Sequence, residues 1–217
     1  MFETLVRFFQ EGGFFMYPIA LVLVVGLAIA IERYVYLSMS KGRNRDAFDQ
    51  GILPILRKRD YTSALKFAND SDTPIAAIMG SGLSRLLNNG SRDEIEFAME
   101  EGLMETLPRL EKRTQYLATL ANVATLLGLL GTIIGLIDAF SAVANADPSE
   151  KAALLSQSIS VAMNTTAFGL VAAIPLLLIH AVLQTKTNEI VDSFEMAGVK
   201  LLNLISDQVP SASAKPR

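Results

Sequence analysis

Apolar residues are gathered into three long runs, at roughly residues 15–37, 114–143 and 155–183. Each approaches the ~20 apolar residues needed to cross ~30 Å of hydrocarbon at ~1.5 Å rise per residue. The pattern therefore predicts three transmembrane helices. Between the first two runs, residues 38–113 carry charges on helical spacing and show no strand-like alternation. A helical, water-exposed segment is expected there. Ahead of the first run, FETLVRFFQ is a short amphipathic stretch suited to the outer interface, ended by Gly12-Gly13. The first run is too long for a signal-peptide core and has no convincing small-residue cleavage site, so it reads as a retained span.

These patterns divide the chain as follows. Residues 1–13 are an outer amphipathic N-terminus and 14–37 the first transmembrane helix. Residues 38–113 are a helical cytoplasmic segment and 114–144 the second transmembrane helix. A short periplasmic loop occupies 145–153, and the third transmembrane helix 154–185. A cytoplasmic helical extension covers 186–206, and 207–217 is a tail of disordered composition.

Inside the cytoplasmic segment the local signals are specific. A helix is expected at 47–57, weakened by Pro54, and another at 61–68 with Asp60 as its N-cap. A third, at 75–87, has Thr73 as N-cap and Pro74 at the first helical position, and ends at Asn88-Asn89-Gly90. Ser91 and Glu94 form a capping box. No strong stop follows until about Ala144, and Pro108 is expected to kink this run without ending it. A helix of roughly 80 Å is the result. The third run is also expected to continue, with Ile190, Phe194, Val199, Leu202 and Ile205 at helical spacing.

Charge sets the orientation. Arg33, Lys41, Arg43 and Arg45 follow the first run, Arg109, Lys112 and Arg113 precede the second, and Lys186 follows the third. The 145–153 loop has only Lys151 against Asp147 and Glu150. The positive-inside rule then places the N-terminus outside and the C-terminus inside. With 51% hydrophobic residues, a mean hydropathy of +0.36 and a net charge of −3, the chain gives no nucleic-acid signal. It has no cysteine, which excludes disulfides and thiol-bound metal.

Residues 126–140, LLGLLGTIIGLIDAF, carry an unexpected pattern for a span. Thr125, Gly128, Thr132, Gly135 and Ala139 fall on one helical face, and Gly131 lies beside it. The third run repeats the pattern with Ser158, Ala162, Thr165, Gly169 and Ala172, flanked by Thr166 and Ala173, and Asn164 is embedded in it. Small residues let helix backbones approach in lipid. Packing alone therefore explains Gly128, Gly131, Gly135 and Gly169. Two hydroxylated stripes can also line a narrow polar path. Pro175 removes a backbone bond to Val171 and leaves a carbonyl in need of a partner.

No Asp, Glu, Lys, Arg or His lies in the middle of any run. Asp138 is six residues, roughly 9 Å, beyond Thr132. That places it at a possible outer mouth. Glu32 and Arg33 fall near the inner interface, where an i,i+1 pair does not face itself. His180, the single histidine, reads as an interfacial residue. A threonine does not titrate at physiological pH, so an ion path here needs a carboxylate from a partner. Phosphate loops, metal-ligand spacing, catalytic triads and nucleophile elbows are absent from the sequence, so no catalytic residues and no cofactor are expected. Three helices without an inverted repeat do not fit a solute carrier. A static oligomeric scaffold, holding a partner by packing alone, is the alternative to an ion path.

These residues resemble the MotA/TolQ/ExbB ion-channel family, and most closely its ExbB/TolQ branch. The resemblance rests on Gly12-Gly13, Met16-x-Pro18-Ile19, Ile31-Glu32-Arg33, Thr73-Pro74-Ile75-Ala76 with Gly82-Leu83, and above all LLGLLGTIIGLIDAF and TTAFGLVAAIP. It implies an all-α inner-membrane protein whose five copies surround a dimer of a single-pass ExbD- or TolR-type partner. The partner's membrane aspartate would carry the ion, and a TonB- or TolA-type transducer would pass the motion to an envelope client. Thr132 and Thr166 would be the pore hydroxyls, with Thr165 beside them. Three departures stand out. Val161 occupies a position where that branch usually has glutamate. Thr125 stands where proline is common. The pair Thr165-Thr166 replaces the Ala-Thr of familiar proton-driven members and is similar to sodium-driven stators, so H+ as the family default and Na+ are both open.

Overall fold

The computed structural model describes residues 12–205. The amphipathic N-terminal stretch and the tail from 207 lie outside these residues. The elements are α1 (Met16–Asp46), a π-helical segment (Ala47–Ile52), α2 (Leu53–Arg57), α3 (Tyr61–Asp70), α4 (Pro74–Leu87), α5 (Arg92–Glu111), α6 (Thr114–Asn145) and α7 (Lys151–Ile205). All of them are helical. Three helical runs are long and apolar enough to cross a membrane: Met16–Arg57, Arg92–Ala144 and Lys151–Ile205.

Two compact units divide the chain. The first comprises residues up to Arg33 together with Arg113–Val182. It is a bundle of three helix segments. Gly26 of α1 meets the Leu176 side chain of α7, while Gly128 and Gly135 of α6 meet Gly169 and Ala162 of α7. Apolar side chains that face out of this bundle are large and numerous, among them Leu21, Val24, Leu126, Leu129, Ile133 and Ile174. A belt of this kind suits a lipid or protein neighbour rather than water.

The second unit holds Tyr34–Lys112 and the chain from Leu183 onward. Its core gathers Phe48, Ile52, Leu56, Ile75, Met79 and Phe194. Asp60 caps α3 as expected, accepting from the Ser63 amide at 3.0 Å. Hydrogen bonds from Ser63 hold the Asp60 carboxyl below its usual range. Glu189 is likewise lowered, first by the hydrogen bond from Lys41 and then by the charges of Lys41 and Lys186. A depressed carboxylate pKa contributes stability that is present above the unfolded value, ~4, and is lost as pH falls through the folded value. Amide protection in the first turn of α3 is therefore expected to hold at neutral pH and to fall only under acid, in a hydrogen-exchange pH series.

The capping box is complete: the Ser91 hydroxyl accepts from the Glu94 amide at 3.3 Å, and the Ser91 amide donates to Glu94 Oε2 at 2.8 Å. Ser91→Ala should destabilise α5 by ~1 kcal/mol, seen as a lower melting temperature, while Ser91→Asp should be nearly neutral.

Three expectations are corrected. The helix expected at 47–57 is not a separate element but the end of the first run. The ladder widens ahead of Pro54, and Leu53 N–H bonds back to Phe48 O, so α1 continues through the π segment into α2. The wider turn accommodates a proline that lacks a donor and crowds the carbonyl four residues back. The first helical run is thus 42 residues, and all three runs, not two, outlast a bilayer.

The run from Arg92 does stop. Pro108 sits inside α5, and the chain breaks after it, where Lys112 (ψ 131°) and Arg113 (φ 67°) form a turn. Thr73 makes no cap bond. Its hydroxyl meets Ser71 Oγ at 3.1 Å, and the buried Asn44 carboxamide accepts from Ile75 N–H at 3.1 Å instead. Of the spaced apolar residues in the continuation of α7, Ile190, Phe194, Leu202 and Ile205 are buried and Val199 is half-exposed. The buried face of α7 runs through Leu183, Thr187, Ile190, Phe194, Ala197, Leu201 and Ile205.

Candidate ion pathway

In the first unit, α6 and α7 lie against each other along their small-residue stripes. A Cβ built on Gly169 would come 2.8 Å from the Ala124 carbonyl oxygen and 3.1 Å from Gly128 Cα. One on Gly128 would sit 3.3 Å from Gly169 Cα and Thr165 O, and one on Gly135 would sit 2.9 Å from Ala162 Cβ. Each contact is backbone to backbone or nearly so, which only glycine and alanine allow. Gly131 faces Thr165 and Phe15. Ala124 and Ala162 belong to these contacts, and Ala121, Ala139, Ala172 and Ala173 are also buried.

Thr132 and Thr166 stand at the edge of that seam, half-buried. Their hydroxyl oxygens meet directly. Thr132 Oγ1 also reaches the Gly128 carbonyl at 3.2 Å and the Ala162 carbonyl at 3.4 Å, and Thr166 Oγ1 donates to Gly128 O at 2.9 Å. Two hydroxyls hold two protons, while this cluster holds two hydroxyl and two carbonyl oxygens. Acceptor capacity therefore exceeds donor supply. The surplus lone pairs can stabilise a cation or a protonated carboxyl brought to the seam edge.

Thr165 points elsewhere. It is buried, donates to the Gly12 carbonyl at 2.6 Å, and also reaches its own Val161 carbonyl at 3.0 Å. Gly12 precedes α1, so Thr165 ties the start of the first span to the third. Asp138 is exposed on α6. α7 continues unbroken through Pro175, which is also exposed. At the other end of the unit, Arg113 Nη1 lies 2.8 Å from both carboxylate oxygens of Glu32.

Sequence reasoning passed over one contributor, the backbone carbonyl of Ala162, which accepts from Thr132 Oγ1 at 3.4 Å and which no sequence signal marks.

The chain that builds this seam has relatives. Residues 70–196 match the MotA/TolQ/ExbB proton channel family. The chain belongs to that family. An ExbB homolog of Methanothermobacter thermautotrophicus is 28% identical over 196 residues, covering 90% of this chain and 68% of that protein. The biopolymer transport protein ExbB of Salmonella typhimurium is 30% identical over 167 residues, 68% of each chain. TolQ of the Tol-Pal system of Haemophilus influenzae is 34% identical over 128 residues, 59% of this chain and 49% of TolQ. Family membership and three apolar helical runs mark a multi-pass membrane protein of a channel family.

Proposed function

We propose that this chain is the ring-forming subunit of an ion-driven motor of ExbB/TolQ type in the inner membrane. Five copies would enclose a dimer of a single-pass ExbD/TolR-type partner, N-terminus out and C-terminus in. The Thr132–Thr166 hydroxyl pair carries this reading. It is polar, half-open, and sits in a span with no carboxylate of its own. A partner aspartate moving past it would be stabilised when charged by the hydroxyls and when protonated by the carbonyls. Protons are the proposed ion. Thr165, the residue that makes the sequence similar to sodium-driven stators, is engaged with Gly12 and serves packing. Asp138 is proposed at the outer mouth. The work would be delivered through a TonB/TolA-type transducer.

One observation favours the scaffold reading: both hydroxyls already have partners inside the seam. Native mass spectrometry of the chain co-expressed with single-pass partners bearing a membrane aspartate decides between the two. The motor reading expects a mass of five copies plus two partners. A stable oligomer that takes up no such partner would leave the hydroxyls without a titratable group and would establish the scaffold.

A further inference from the structure

The second unit carries two grooves on opposite flanks of α7. One, of about 140 Å³, is rimmed by Glu96, Glu100 and Glu195 over a floor that includes Met99, Phe194 and Val199. No cation lines it. The other, of about 240 Å³, is rimmed by Lys41, Arg45 and Lys200, with Asp49 the one acidic side chain lining it, over Phe48 and Met196. Of the three cations on the basic flank, Lys41 pairs with Glu189 at 2.7 Å and Arg45 approaches Asp49 at 3.6 Å, while Lys200 lies over the Phe48 ring, 5.4 Å from its centroid. Large apolar side chains lining these grooves stand exposed, Met196 at 58% and Val199 at 50%. In a charged unit such exposure marks a contact surface.

The two flanks lie at one level. Glu195 and Lys200 are five residues apart on one helix, hence about 140° apart around it and only about 8 Å apart along it. A closed ring relates neighbours by rotation without translation along the axis, so the two halves of a head-to-tail interface must sit at one height on different flanks. α7 runs on from a membrane span, and spans tilt on average only ~20° from the normal. α7 is one continuous helix from Lys151 to Ile205, and height is taken along its axis.

Resting on the ring proposed above, we infer that neighbouring copies dock through these flanks, the acidic groove of one receiving the basic flank of the next. Opposite charges at the rim fix register and direction of closure, and the apolar floor supplies burial. Other uses of the acidic groove, such as capture of a foreign basic helix, predict no pairing with Lys200 of another copy.

The chain has no cysteine, so single-cysteine pairs report cleanly. Full-length Glu100→Cys and Lys200→Cys chains are co-expressed, treated with a short bismaleimide, and weighed intact in parallel by native mass spectrometry. Linked dimers are expected from the mixture, several-fold above those from either variant alone. An intact ring that gives no excess in the mixture overturns this contact and leaves the ring standing. A monomeric mass overturns both. Glu100 linked only to a foreign chain overturns the contact in favour of another occupant. As a second readout, Glu96→Lys with Glu100→Lys should lower ring occupancy at least tenfold, and adding Lys200→Glu, which leaves the Lys41–Glu189 pair intact, should restore it. Failure of the swap to restore the ring overturns the proposal.

Discussion

Thr132→Val and Thr166→Val should each abolish ion-driven output while leaving the assembled complex at its normal mass. Valine nearly matches threonine in shape, so the α6–α7 seam keeps its volume. What is lost is the hydroxyl pair and its bonds to Gly128 O. A hydrogen bond to a charged group contributes ~1.5–3 kcal/mol. The drive is of the same order, since one charge crossing 100 mV is worth ~2.3 kcal/mol. Removing one hydroxyl therefore raises the barrier by about as much as the gradient supplies, and ion flux should fall ~10- to 100-fold. Flux into proteoliposomes holding the complex and its partner measures this. Thr→Ser at either position should retain most of it. Wild-type flux in either valine variant would remove both residues from the pathway. Thr165→Ala is the matched control: its bond runs to Gly12 O, so it should lower the melting temperature without altering dependence on sodium.

Why the seam was legible in sequence, and much of the rest was not, has a physical cause. In lipid the backbone satisfies itself, so hydropathy and small-residue spacing carry nearly all the information. The spacing of Gly128, Gly135 and Gly169 reads as packing, and an added Cβ would meet backbone at Gly128 and Gly169 and the Ala162 Cβ at Gly135. The caps at Asp60 and Ser91 were legible because short side chains bond their own helix. The break at Lys112-Arg113 was not. It places a non-glycine residue at φ 67°, and nothing local calls for that. The ion pair from Arg113 to Glu32 accompanies it from 81 residues away. The π segment before Pro54 was equally hidden, because a proline signals strain but not how the chain will relieve it. Adjacent residues differ by ~100° around a helix, and Thr165 bonds Gly12 O and its own Val161 O while Thr166 meets Thr132; the first of these bonds is to a residue 153 positions away that no local pattern marks.

Gly169→Ala should be among the most disruptive single-methyl changes in the protein. Its Cβ would come within 2.8 Å of the Ala124 carbonyl oxygen and 3.1 Å of Gly128 Cα. Neither atom belongs to a side chain that could rotate away, so α6 and α7 must separate. Overpacking of this kind costs about 1–3 kcal/mol. The separation also pulls Thr132 from Thr166, because both lie on the same seam one helical turn or less from the contact. Ion flux should therefore fall together with thermal stability, unlike in the valine variants, where flux alone falls. Gly42→Ala provides the opposite case. Nothing lies within 4 Å of its added Cβ, and it sits in α1, where alanine is the better helix former by ~1 kcal/mol. It should leave the complex equally or more stable, with normal flux. Thermal unfolding of the purified complexes checks both. If Gly169→Ala melts like wild type and conducts like it, the two helices do not approach this closely in the assembled protein, and the hydroxyl pair does not form as described.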